Sequence, residues 1–146
     1  MANCHLVILK KPYLDAILKG RKQIESRFSR TRPRFFARVL PDDTLFLKQS
    51  SGPVRATARV AAVENLEHLT PDRMLEIRRR CNAEIGGPDE YWRSKIDSRF
   101  GLLVRLKDIR PIQPVLINKR DWRAWVVLTE KENFGLPGIL GTGTRE

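Results

Sequence analysis

Residues 20–27, GRKQIESR, join the end of a predicted helix to the start of a predicted strand, and this junction decides the fold. Gly20 supplies the left-handed residue that ends the helix. Because alternate residues of a strand face opposite sides, Glu25 and Arg27 share a face, and Lys22 lies at the corner before them. Such a cluster can recognise the edge of a base, with the carboxylate accepting from an amino group. It can also be a solvated strand face with a surface salt bridge worth at most about 1 kcal/mol, and spacing alone favours this second interpretation.

Hydrophobic periodicity on either side of the junction predicts six strands and three helices. The predicted strands cover residues 5–9, 21–28, 44–48, 54–66, 100–107 and 122–129, and the predicted helices cover residues 12–20, 70–83 and 88–95. Most connections are short, and strands do not alternate regularly with long helices. This arrangement predicts an α+β fold with a small curved sheet or barrel and helices packed at its ends.

The chain of 146 residues has the length and composition of one globular domain. We expect a single domain over residues 1–134 and a flexible Gly-rich tail over residues 135–146. The longest apolar runs are far shorter than the ~20 residues of a membrane-spanning helix, and the N-terminus has no signal-peptide pattern, so we expect a cytoplasmic protein without membrane contact. The two Cys and two His lack zinc-ligand spacing, which predicts neither metal nor cofactor.

Positive charge is concentrated at one end of the chain. The net charge is +11, and residues 1–40 contain ten basic residues against only Asp15 and Glu25. A concentrated positive field attracts polyanions, and nucleic acid is the usual polyanion inside a cell. The candidate phosphate contacts of this segment are Arg30, Arg32 and Arg34, and Lys48 is a further candidate outside it.

Two aromatic stretches interleave with Arg, as base-stacking platforms do. In residues 91–93 we expect Tyr91 or Trp92 to be partly exposed and count both as candidate nucleic-acid contacts. In residues 122–125, Trp125 belongs to an apolar strand and is assigned to the core, whereas the position of Trp122 stays open.

Gly20, Lys22, Glu25 and Arg27 match, in order, the G-x-K-x-x-E-x-R motif, and on this ground residues 5–129 resemble the ASCH domains, which are relatives of the PUA domain. The resemblance implies a PUA-like, mostly antiparallel β-barrel with peripheral helices and a cleft beside the motif strand. It also implies RNA binding through that cleft and the basic surface, with Lys22, Glu25 and Arg27 among the contacts. Protein partners are not indicated.

The resemblance leaves an enzymatic alternative open. One ASCH subgroup removes the acetyl group from N4-acetylcytidine with a Lys, a Thr and a Glu, and ribonuclease activity is also attributed to ASCH proteins. Lys22 matches the Lys, but Glu25 stands where the Thr would be, and attack by its carboxylate would give a mixed anhydride. If the chain is an enzyme, Lys22 and Glu25 are the candidate catalytic residues. We expect Glu25 to pair with Arg27, its neighbour on the strand face, which would leave Lys22 free to act as a base.

Overall fold

The computed structural model describes residues 2–143 and contains six strands and four helices over that range. Their bounds are β1 (Cys4–Leu9), α1 (Lys11–Leu18), β2 (Ile24–Ser29), β3 (Thr44–Gln49), β4 (Val54–Leu66), α2 (Pro71–Ile85), α3 (Asp89–Ser94), β5 (Phe100–Val115), β6 (Trp125–Val127) and α4 (Pro137–Gly143).

The six strands form one curled sheet, a half-barrel, in the order β2-β5-β4-β3-β1-β6. Only β1 and β3 run parallel within the described residues; the other four strand pairs are antiparallel. Register shifts along the β4–β5 pair mark bulges, which bend long strands and increase their twist. The predicted α+β, PUA-like architecture is confirmed.

Helices cover the half-barrel on several sides. On the inner face, α1 buries Leu14 and Ile17 in one cluster with side chains of β1, β3, β4 and β5. The stripe of α2, with Ile77 at its centre, packs with α3 against β2 and β5. Thr70 caps α2, because its hydroxyl accepts from the main-chain N–H of Arg73. None of the helices in residues 2–143 is long and apolar enough to cross a bilayer.

Two predicted elements differ from those observed. The strand predicted over residues 100–107 continues to Val115, because bulges in the β4–β5 pair accommodate Pro111 and Pro114. The strand predicted over residues 122–129 is reduced to β6.

The Gly-rich C-terminal end also departs from the expected tail over residues 135–146. Leu136 is fully buried, and α4 follows directly after it. Ile139 and Leu140 pack on the cluster that contains Phe46, so helical spacing of three apolar residues attaches this end to the sheet. The last part of the predicted tail, residues 144–146, lies outside the described residues.

Candidate nucleic-acid cleft

Gly20 directs the motif into the interior. Its φ of +78° lies in the left-handed region, and open space surrounds the position where a Cβ would stand, so the backbone conformation alone calls for glycine. The N–H groups of Arg21 and Lys22 both donate to the carbonyl of Ala16, at 2.9 and 3.1 Å. This turn ends α1 and carries the Lys22 side chain inward.

Lys22 is 3% exposed, and all three hydrogens of its ammonium have acceptors. Nζ lies 2.8 Å from the carbonyl oxygen of Ile24, 2.7 Å from that of Ile85 and 3.3 Å from Oε1 of Glu25. Ile85 is the last residue of α2, where the helix carbonyls lack intrahelical partners and the macrodipole favours a cation. Burial lowers the pKa of Lys22, and the neighbouring Glu25 carboxylate opposes that shift. Lys22 therefore connects the motif to the end of α2.

Arg27 bridges the open side of the half-barrel. Its Nη2 donates to the carbonyl of Ile8 in β1 at 2.9 Å, and its Nη1 lies 3.5 Å from the carbonyl of Ala124, just before β6. The guanidinium carbon is 5.5 Å from the ring centre of Trp125, within cation–π range. β2 and β6 are the two edge strands of the sheet. Arg27 therefore connects edge strand β2 to the backbone of β1 and to the residue before β6.

Glu25 stands between the two cations and is 7% exposed. Its Oε2 accepts from Nε of Arg27 at 2.8 Å, while Oε1 faces Lys22. The expected Glu25–Arg27 pair is confirmed. The expectation that this pair would leave Lys22 free is wrong, because the turn at Gly20 brings Lys22 onto the second carboxylate oxygen.

A cleft of about 1060 Å³ opens beside this cluster, and Lys22, Glu25 and Arg27 all line it, as expected for a concave surface. Tyr13 from α1 and Tyr91 from α3 contribute aromatic walls. The hydroxyl of Tyr91 shares a 2.7 Å hydrogen bond with Oγ of Ser26, and burial raises the pKa of Tyr91 far above its usual range. Tyr91 therefore keeps its proton and offers a hydrogen bond rather than a base.

Two lysines line the cleft, and exposed arginines stand on the adjoining loop outside the cleft lining. Lys10 lines the cleft, is exposed, and has no ion-pair partner within residues 2–143; the half-buried Lys95 lines the opposite wall, 5.9 Å above the Tyr91 ring. In the basic loop, which we define as residues 29–38, Arg34 is exposed and likewise makes no ion pair with a described residue.

Two other arginines of the basic loop, Arg30 and Arg32, have surface partners. Arg30 lies 3.4 Å from Asp97, and Arg32 lies 3.3 Å from Glu67. All four groups are largely exposed, so these pairs contribute little to stability and can exchange for other anions.

Two predicted contacts lie elsewhere. Lys48 is on β3, donates to the carbonyl of Gln49 at 3.1 Å, and is absent from the described lining of the cleft. Trp92 is 4% exposed, and its indole N–H donates to Asn82 at 3.0 Å. A side chain packed against Phe28 in the core offers no face to a base, so Trp92 is corrected from contact to core residue. Of the pair in residues 91–92, only Tyr91 reaches the cleft.

A second polar cluster supports the cleft from inside the core. The buried His5 has Nε2 2.8 Å from Oδ2 of Asp43, and Nε1 of Trp125 donates to its Nδ1 at 3.2 Å. Since Nδ1 accepts, the imidazole is neutral with its proton on Nε2; burial lowers the pKa of His5, and Asp43 opposes the shift. Trp125 is buried as predicted, and its ring stacks at 5.2 Å on Phe35, which lines the cleft.

Sequence reasoning missed Lys10, Tyr13, Ser26 and Lys95 as cleft residues. The two-residue period of a strand places Ser26 on the face opposite Glu25, yet Ser26 lines the cleft, where its hydroxyl meets that of Tyr91. Lys10 and Tyr13 directly follow β1, so the end of a strand beside the motif could have pointed to them. No signal in the sequence indicates Lys95, because only the packing of α3 brings it to the cleft.

Comparison with solved structures finds the same fold in an ASCH protein from Zymomonas mobilis, with a TM-score of 0.70, 16% identity, and coverage of 93% of this chain and 94% of that one. One mutant of that protein gives a TM-score of 0.71 at 17% identity, with coverage of 93% of this chain and 95% of that one. A second mutant gives a TM-score of 0.70 at 15% identity, with coverage of 95% of this chain and 96% of that one. No protein-family model and no curated protein matches the chain. At such low identity the similarity shows the fold alone, which is an ASCH-type fold.

Proposed function

We propose that this chain is a cytoplasmic RNA-binding domain that takes one base into the cleft and holds the adjacent phosphates at its basic rim. One observation carries the proposal: a buried, ion-paired carboxylate lines a cleft large enough to admit a base, and the same cleft is lined by Lys10 and Lys95, which make no ion pair with a described residue. Solubility alone would account for exposed cations, but it would not account for a buried carboxylate of fixed geometry beside them.

The motif residues and the rim residues have different roles in this proposal. All donors of Lys22 and three of the five of Arg27 bond to main-chain carbonyls and to Glu25, so in this proposal both side chains chiefly shape the cleft. A carboxylate has about four lone-pair sites, and Glu25 uses two on these cations, which leaves capacity to accept from a base amino group. Both partners of Glu25 are hydrogen-bond donors, so the carboxylate meets a ligand as an acceptor.

Phosphate binding falls to the exposed cations. Lys10, Lys95 and Arg34 are the first contacts, and Arg30 and Arg32 follow because their surface pairs are weak and exchangeable. RNA is preferred over DNA on the resemblance of the motif to ASCH domains, and the fold contains no recognition helix of the helix-turn-helix kind within the described residues.

A salt titration tests the proposal. We expect the anisotropy of a labelled, unstructured RNA to report binding that weakens steeply from 50 to 200 mM salt, with a slope of about 0.7 per neutralised phosphate. Lys10→Glu and Arg34→Glu should each reduce affinity and slope, whatever the RNA sequence. Arg79→Glu is the matched control, because Arg79 is equally exposed but lies on α2 outside the cleft. Absence of binding to any RNA at low salt would overturn the proposal.

The geometry favours binding over hydrolysis. Lys22 would have to give up a hydrogen bond to serve as a base, and Tyr91 keeps its proton. The alternative has a direct assay, in which the protein is incubated with N4-acetylcytidine and with labelled RNA beside a folded Lys22→Met variant. If the wild type turns over either substrate and the Lys22→Met variant does not, hydrolysis replaces RNA binding as the proposed function.

A further inference from the structure

Trp122 stands almost wholly in water. Its side chain is 99% exposed, whereas the other two tryptophans, Trp92 and Trp125, are buried. A single exposed apolar side chain is common and by itself marks no site. Two features of its surroundings distinguish Trp122: the turn that carries it is braced, and the turn adjoins the cleft.

Ion pairs brace the turn on both sides of the indole. The carboxylate of Asp121 accepts from Nζ of Lys119 at 2.9 Å and from Nη2 of Arg123 at 2.8 Å, and both donors hold the pKa of Asp121 below its usual range. Arg123 also reaches Glu132 at 2.6 Å. The turn therefore presents the indole from a fixed backbone rather than from a loose loop, which reduces the entropy lost when a ligand binds.

The same turn leads directly into the cleft wall. Ala124 lines the cleft, and its carbonyl accepts from the main-chain N–H of Ile8 at 2.9 Å and faces the guanidinium of Arg27. Two residues of chain separate Cα atoms by at most about 7 Å, which is roughly two stacked nucleotides at ~3.4 Å each. A strand with one base in the cleft thus brings a neighbouring base within reach of Trp122.

We propose that Trp122 is a base-stacking site for a nucleotide one or two positions from the base held in the cleft. This inference rests on the proposed function and deepens it, because it requires an unpaired strand of at least two or three nucleotides. Every base has a π-face, so stacking on an indole tolerates any sequence. Arg120 is exposed beside the indole and has no acidic partner among the described residues, so it can meet the intervening phosphate.

Three variants test the stacking site. Trp122→Leu keeps an apolar side chain but removes the large π-face, and we expect it to weaken binding of an unstructured RNA of about six nucleotides by about tenfold or more. Trp122→Phe should retain most of the affinity. Leu116→Ala is the matched control, because Leu116 is 84% exposed but is not aromatic, and its removal should leave affinity unchanged.

Tryptophan fluorescence and the length of the RNA ligand test the stacking site independently of the three variants. Since only Trp122 is exposed among the three tryptophans, acrylamide should quench mainly its emission, and RNA should protect it. A mononucleotide that fills only the cleft should bind the wild type and Trp122→Leu equally. Equal hexanucleotide affinity of wild type and Trp122→Leu would overturn the inference and leave the proposed function standing. Failure of the wild type to bind any RNA would instead remove the proposed function and this inference together.

Discussion

The motif, residues 20–27, and the basic loop, residues 29–38, are neighbours in the chain, and both are rich in basic side chains, but their charges act in opposite ways. All three donors of Lys22 and three of the five N–H groups of Arg27 bond to carbonyl and carboxylate acceptors, and these bonds hold β2, α2 and β1 together. Arg34 extends into solvent without an acidic partner in the described chain. Burial and saturation of donors, rather than residue type, therefore separate cations that build the cleft from cations available to a ligand.

The same difference governs energetics. Removing one partner of a buried ion pair leaves an uncompensated charge in a poorly solvated place, whereas an exposed pair simply exchanges its partner for water. Substitutions in the motif should therefore act on the free energy of unfolding, and substitutions in the basic loop should act on binding. Four experiments, ordered by expected effect on stability, test this contrast.

The largest effect is expected from Glu25→Ala. This change leaves the buried Lys22 and the half-buried Arg27 without their shared anion, and we expect a loss of about 3–5 kcal/mol in urea unfolding. The matched change Glu67→Ala removes the partner of the exposed Arg32 and should cost less than about 1 kcal/mol. Similar losses in the two variants would remove the distinction between motif and loop.

Mild acid should lower the free energy of unfolding by a smaller amount, through the buried His5. The exposed His68 provides the control. The pKa of His5 in the folded state lies below its unfolded value of about 6.5, so below pH 6.5 the unfolded chain binds the proton first. The contribution of His5 to stability is complete above pH 6.5 and declines as the pH falls toward the folded pKa, because the protonated Nδ1 can no longer accept from Trp125.

Unfolding measured between pH 7 and 5 should show this decline in the wild type and in His68→Asn, since His68 is exposed. A His5→Gln variant should show a shallower slope over the same range. An unchanged slope in that variant would contradict the role assigned to the buried imidazole.

Substitutions at two positions with a positive φ are expected to change the free energy of unfolding in opposite directions. Gly20→Ala forces a Cβ into the left-handed region and should cost about 1–2 kcal/mol, although nothing obstructs the Cβ. Ala37 in the basic loop has a φ of 63°, so Ala37→Gly should stabilise by up to about 1 kcal/mol. Thermal unfolding of the two variants beside the wild type measures both signs, and a destabilised Ala37→Gly would mean that loop strain is negligible.

The smallest effect on stability is expected from Arg34→Gln. An exposed side chain without an ion-pair partner should change the free energy of unfolding by no more than about 0.5 kcal/mol. Arg27→Gln makes the same chemical change in the motif and removes the bond to Ile8, so it should cost clearly more. Equal losses of stability in the two variants would show that Arg34 also stabilises the fold.

Local periodicity predicted much of this molecule because the relevant interactions are local. The end of α1 follows from the left-handed tendency of Gly20, and the shared face of Glu25 and Arg27 follows from the two-residue period of β2. Glycine content predicts a flexible tail, whereas the apolar spacing of Leu136, Ile139 and Leu140 accounts for the packing of α4 on the sheet.

The remaining site features depend on contacts that no local pattern contains. One acceptor of Lys22 is the carbonyl of Ile85, which belongs to a helix far along the chain, and together with Glu25 and Ile24 it occupies the ammonium that the strand pattern left free. Trp92 and Tyr91 are adjacent on α3, yet the packing of that helix sends one ring into the core and the other to the cleft. Side chains on a six-residue helix cannot be assigned to core or surface without the tertiary arrangement.

The place of β1 in the sheet bears on how the chain reaches its native state. β1 lies between β3 and β6, and His5 near the start pairs with Val127 near the end. During synthesis β1 emerges before β6, so one hydrogen-bonding edge of β1 stays open until the residues of β6 have been made. Pairing across so long a loop gives a high contact order, which corresponds to folding in milliseconds to seconds rather than microseconds. Nascent chains therefore expose this edge of β1 to intermolecular pairing until β6 has been made.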